Sequence, residues 1–184
     1  VSIRANPMTE ALAWSGMTHF RAGLDAAMEG DPEGRARIAY GSLQSGICLA
    51  QTGLGSVHGL ASPLGAFFPI PHGLVCGTLL AEATAINIRA LGQRAPYNPA
   101  VEKYARVGRL LSGQAGQNQE AALAALVEEL RHWTKRLGLS RLAALGLTRT
   151  DIPRVVAQSR GGSMQTNPIE LTDAELAEVL ERRL

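Results

Sequence analysis

Aromatic residues make up only 4% of this 184-residue chain, too few for the stacking platform that sequence-independent binding of single-stranded nucleic acid uses. A strong excess of charge is missing too. The formal net charge is +2 and the arginines are spread along the chain with no basic run, so no nucleic-acid partner is expected. Cysteine is nearly absent. Cys48 and Cys76 both sit in apolar surroundings and read as small buried hydrophobes. A disulfide between them is the minority alternative, since no secretory context accompanies them. No run of eighteen consecutive apolar residues and no signal peptide is visible, so the expectation is a cytoplasmic protein with no membrane partner.

Period-two alternation never lasts beyond three or four residues, and no Asn-Gly or Asp-Gly hairpin turn exists. The motifs of several enzyme classes are also missing. There is no Gly-x-Ser-x-Gly elbow, no P-loop, and no Gly-x-Gly-x-x-Gly following a strand. What is present is helix punctuation. Asn6-Pro7, Asp31-Pro32 and Asn98-Pro99 each pair a capping residue with proline at the first helical position. Asn118 suits another helix start, and Thr172-Asp173-Ala174-Glu175 reads as a capping box. Small residues along 41–50 suit a central helix, with Ile38, Leu43, Ile47, Cys48 and Leu49 on its buried side. The segment from Gly73 to about Leu91 is apolar nearly all round, as expected of a helix buried on most sides. The reading is an all-α fold of about eight helices, one domain over residues 1–184, long enough to bury a core unaided. The opening Val1-Ser2-Ile3-Arg4 reads as the continuation of a longer protein.

The organising stretch is Gly53–Gly73. It holds two of the four histidines, His58 and His72, amid glycines and prolines too dense for a plain helix and too apolar for a solvent loop. A rigid turn that aims two imidazoles at one point preorganises a metal site, and neutral imidazole is a common transition-metal ligand. Satisfied core histidines are the alternative reading. His132 has Glu128 one helical turn before it, a spacing open to chelation or to a solvated ion pair. His19 reads as structural.

The residues of that stretch carry a resemblance. Gly53-x-Gly55-x-x-His58, Pro63-Leu64-Gly65 and Pro71-His72-Gly73 resemble the signature of the iron-containing alcohol dehydrogenase family. Asn6-Pro7, the small-residue helix around Gly46, and Asn167-Pro168 before the last helix are similar to that family's C-terminal half, so the resemblance covers essentially the whole chain. It implies an all-helical domain that follows an N-terminal nucleotide-binding domain, with NAD or NADP as cofactor and a small alcohol, aldehyde or ketone as substrate. It implies Fe2+, with Zn2+ also compatible, held by an Asp and a His four apart on one helix and by two later histidines. His58 and His72 match the later pair. The Asp-x-x-x-His pair stands upstream of the segment matching Ser2–Pro7 in that family and is not within these residues, so the 184 residues alone are expected to carry little iron and turn over no alcohol. Homo-oligomers are compatible with the resemblance. One position departs from it. The family usually carries a further histidine four residues after the first of these ligands, and here that residue is Ser62. A hydroxyl there can donate a hydrogen bond but cannot shuttle a proton near neutral pH as imidazole does. Two other readings stand beside this one: a zinc-dependent relative of the dehydroquinate-synthase or glycerol-dehydrogenase type, and a non-catalytic helical module with relic histidines.

Overall fold

The computed structural model describes all residues, Val1–Leu184. It contains eight α-helices, three short 3-10 turns and no strand, as the all-helical reading expects. The chain forms two compact units, Ser2–Gly53 and Leu54–Leu184.

The first unit is a hairpin of α1 (Pro7–Met28) and α2 (Pro32–Thr52). Asn6 and Thr9 form a reciprocal capping box at the start of α1, and the Asp31 carboxylate accepts from Gly34 N at 2.6 Å at the start of α2. The two helices meet through small residues spaced by seven: Thr9, Gly16 and Gly23 on α1 face Cys48, Gly41 and Gly34 on α2. The approach is close. A Cβ on Gly34 would lie 2.4 Å from the Ala27 backbone nitrogen, and one on Gly23 would lie 2.9 Å from Gly34 O. This packing overturns the expected face of α2. Gly34, Gly41, Gln44 and Thr52 are its buried residues, whereas Leu43, Ile47 and Leu49 are 62%, 39% and 45% exposed. Glycine has no side chain to register in an apolar periodicity, so a search for hydrophobic spacing selects the wrong stripe.

The second unit is built on α4 (His72–Arg94), with α3 (Ser56–Phe67), α5 (Pro99–Ser112), α6 (Gln119–Arg136), α7 (Ile152–Ala157) and α8 (Asp173–Arg182) around it. On one side of α4, Val75, Leu79, Ala83 and Ile86 pack with Leu60 and Leu64 of α3, Val155 of α7 and Leu176 and Leu180 of α8. On the other side, Ala81 and Leu91 join Ala100, Tyr104 and Leu111 of α5 and Leu126 and Leu130 of α6. The all-round apolar character of α4 thus has its expected physical cause. By length and composition α4 is also apolar enough to cross a membrane, but 61% of its most apolar window is buried inside this unit, the state of a core helix. Helices α5 and α6 come so close that a Cβ on Gly108 would lie 1.9 Å from Ala122 O.

A charged lattice fastens α8 to α4 and α4 to α6. Arg131 of α6 holds the Glu82 carboxylate of α4 through two bonds of 2.9 and 3.0 Å, and Arg182 of α8 reaches the same carboxylate at 3.1 Å. Arg182 also bonds Glu178 at 2.7 Å, and Arg89 of α4 makes a forked contact with Glu178. Arg94 adds a second link through Glu175, at 2.6 and 3.0 Å. Burial alone would raise the Glu82 carboxyl, but the Arg131 and Arg182 hydrogen bonds and charges hold it below its usual value. The Arg89 hydrogen bond, with Arg182 and both positive charges, outweighs burial and brings Glu178 down to about 2. A carboxyl depressed in the folded state stabilises the fold fully above its ordinary value of 4.5, and the contribution is lost as pH falls toward the folded value. Urea midpoints should therefore drop between about pH 4.5 and pH 2, and Glu178→Gln should flatten that drop while lowering the midpoint at neutral pH.

Candidate metal centre

Helix α3 has no local side-chain cap, since its N-cap residue is Gly55. The cap comes from far along the chain. Asn167 Oδ1 accepts from Ser56 N at 3.0 Å, across 111 positions. The Asn167 amide donates to Asn87 Oδ1 of α4 at 2.6 Å and to Ile169 O at 2.7 Å. Asn87 in turn donates to Ser56 Oγ at 2.9 Å and to Ala83 O at 2.8 Å. Ser56, Asn87 and Asn167 are 3%, 2% and 8% exposed, and buried polar groups of this kind are stable only when each finds its partners. Gly55 is required for the approach, because a Cβ there would lie 2.9 Å from Asn167 Oδ1. The start of α3 is thereby pinned to α4 and to the segment before α8, and His58 stands two residues further on.

Between α3 and α4 the chain is stiff. Phe68 is extended, the two prolines Pro69 and Pro71 flank Ile70, and Ile70 N donates to Phe68 O at 2.7 Å. The Ile70 side chain is sunk into the core, 7% exposed. Pro71 then delivers the chain in an extended conformation to α4, whose first residue is His72.

The sequence-selected histidines meet. The rings of His58 and His72 have centroids 5.3 Å apart with planes tilted by 48°. Cys76 joins them, with Sγ 3.4 Å from His72 Nε2, and one donor atom from each of the three residues lies within 4.8 Å of the others. His58 and Cys76 are half-buried and His72 is exposed, so the cluster opens to one side. Burial, and then the charge of His72, lower the His58 imidazole below its ordinary 6.5, which keeps it in the neutral form that ligates metal. Burial raises the Cys76 thiol. Two imidazoles and a thiol converging at this range fit a divalent transition ion such as iron or zinc.

The remaining candidates separate. Ser62 lies one helical turn after His58 on α3 and is exposed. Glu128 pairs with Arg131 at 3.0 Å. His19 meets Tyr40 in a tilted ring contact, with centroids 4.6 Å apart and planes at 53°, in the hairpin unit. Both cysteines are free, and neither is fully buried. Cys48 Sγ contacts Thr9 O at 3.4 Å, whereas Cys76 packs half-buried against the core, as its apolar neighbours imply, and also joins the donor cluster. Its signal was available: His72 and Cys76 are four residues apart on one helix, the spacing that puts two side chains on one face.

A sequence model described as Fe-containing alcohol dehydrogenase family, C-terminal, matches residues 1–184. Among curated proteins, the chain is 30% identical over 176 residues to lactaldehyde reductase of Escherichia coli (strain K12), covering 94% of this chain and 44% of that protein. It is 33% identical over 193 residues to 1-propanol dehydrogenase PduQ of Salmonella typhimurium, covering 100% of this chain and 50% of the relative. A crystal structure of 1,3-propanediol oxidoreductase superposes with a TM-score of 0.89 at 26% identity, over 100% of this chain and 47% of the other. The chain thus spans about half the length of the relatives it matches.

Proposed function

Since the chain belongs to the Fe-containing alcohol dehydrogenase family, as its C-terminal part, we propose that it is the metal-holding half of an NAD(P)-dependent dehydrogenase that interconverts a small alcohol and its aldehyde or ketone. The observation that carries this reading is the convergence of His58 and His72, set fourteen residues apart in sequence, on one open cluster. When bound, a divalent metal supplies Lewis acidity toward an alcohol or carbonyl oxygen, and the nicotinamide supplies hydride chemistry. His58, kept neutral by burial, and His72, at the mouth of the cluster, are the ligands from this chain. The Asn167–Asn87–Ser56 network and the Pro69–Pro71 turn hold them in register, as a preorganised site requires. Fe2+ is the resident ion proposed, with Zn2+ also accommodated by imidazole. The nucleotide-binding domain and the remaining Asp and His ligands are proposed to lie outside residues 1–184, in keeping with the share of the relatives that these residues span.

Ser62 stands where the resemblance places a second imidazole, so this chain offers a hydroxyl and no proton carrier at that point of α3. The names of the relatives favour short alcohols, diols or hydroxyaldehydes as substrates. The full-length protein, stripped with a chelator and reloaded with Fe2+ or Zn2+, should reduce NAD or NADP in the presence of a short primary alcohol only after reloading. Residues 1–184 alone should not. Turnover that persists in fully metal-free protein would overturn the reading, as would silence with every alcohol of this class after stoichiometric reloading.

A further inference from the structure

The donor cluster contains a group that neither the resemblance nor the histidine pair accounts for. We propose that Cys76 is a ligand from this chain to the same metal, and that its sulfur tilts the site toward zinc over iron. The proposal rests on the metal-holding reading of His58 and His72 and adds a donor to it.

Geometry supports the assignment first. An ion with nitrogen at about 2.05 Å and sulfur at about 2.3 Å holds two neighbouring donors about 3.1 to 3.8 Å apart, in a five-coordinate set as in a four-coordinate one. Cys76 Sγ and His72 Nε2 are 3.4 Å apart. The two side chains lie one turn apart on α4, near its start, so the helix itself fixes that edge of a coordination polyhedron. His58 reaches the same space from α3, its donor within 4.8 Å of the other two. Helices α3 and α4 are tied together two residues before His58 by the buried Ser56–Asn87 bond, so the helix that carries His58 is fastened to the helix that carries His72 and Cys76. Chemistry supports it second. A thiolate is a soft ligand that favours zinc, whereas a set made only of imidazole and carboxylate leaves iron(II) more competitive. On binding, the Cys76 S–H bond breaks heterolytically, its proton passes to solvent, and the sulfur lone pair goes to the metal, with no change of oxidation state. The other cysteine, Cys48, lies on the hairpin unit against Thr9 O and serves as an internal control.

Cobalt(II) is the probe, because a thiolate bound to it gives a near-ultraviolet charge-transfer band that imidazole and carboxylate do not. The full-length apoprotein should take up one Co2+ with that band. Cys76→Ser should abolish the band while retaining Co2+ through the histidines, and Cys48→Ser should leave it unchanged. In anaerobic competition between equal Zn2+ and Fe2+, the bound zinc-to-iron ratio should fall about tenfold or more in Cys76→Ser, since even groups one step removed from a metal carry tenfold effects. Cys76→Ala, with a far-ultraviolet circular dichroism spectrum to certify folding, should behave as Cys76→Ser does. Stoichiometric Co2+ without the band, or a zinc-to-iron ratio untouched by either substitution, would overturn the role of Cys76 and leave the histidine site standing. The sulfur would then be only a hydrogen-bond neighbour of His72. No Co2+ uptake at all would overturn both.

Discussion

Replacing Asn167 by alanine is expected to lower the stability of the protein by roughly 3 to 5 kcal/mol, the cost of leaving several buried polar groups without partners. The side chain makes three hydrogen bonds at once. It caps Ser56 N, meets Asn87 Oδ1, and closes the turn at Ile169 O. Alanine leaves one buried N–H and two carbonyl oxygens unpaired, and no local residue replaces the cap, since Gly55 has no side chain. A shift in urea midpoint measures the effect. The same substitution should weaken metal binding, because the freed end of α3 carries His58. Asn87→Ala removes three bonds of the same network, one of them the bond shared with Asn167, so the double variant should lose less than the two single losses added together. A loss below about 1 kcal/mol, the typical value of an ordinary hydrogen bond, would show that the network is not what fixes α3.

That network marks the limit of what the sequence discloses. Helix starts were legible, because Asn6-Pro7, Asp31-Pro32, Asn98-Pro99 and Thr172–Glu175 each carry their signal within four residues, and each begins a helix. The burial of α4 was legible from its all-round apolar character. The His58–His72 meeting was legible from the glycine and proline density between them. The face of α2 was not, because its contact is made by glycines and the apolar residues point elsewhere. The cap of α3 was not, since a partner 111 positions away leaves no mark near Ser56. Two signature glycines find no reason within this chain: a Cβ on Gly65 or on Gly73 would meet nothing within 4 Å.

His58→Ala and His72→Ala are expected each to lower metal affinity of the full-length protein about a hundredfold or more, the upper end of what groups merely supporting a ligand cost. Dehydrogenase turnover should fall in step with metal content. Stability without metal should change little, because His72 is exposed and His58 only half-buried, and neither belongs to the Asn167 network. This separates a ligand from a packing histidine. A core histidine would cost stability and leave the bound metal alone. The metal content after dialysis against a weak chelator, read beside the urea midpoint of the same apoprotein, distinguishes the two.

The most direct measurement is anomalous diffraction from crystals of the full-length protein loaded with zinc, recorded on both sides of the metal's absorption edge. The account predicts a single strong peak about 2.0 to 2.1 Å from a ring nitrogen of both His58 and His72, the distance of a zinc–imidazole bond. A peak bound to only one of them, or a fully loaded protein whose metal lies away from both, would contradict it.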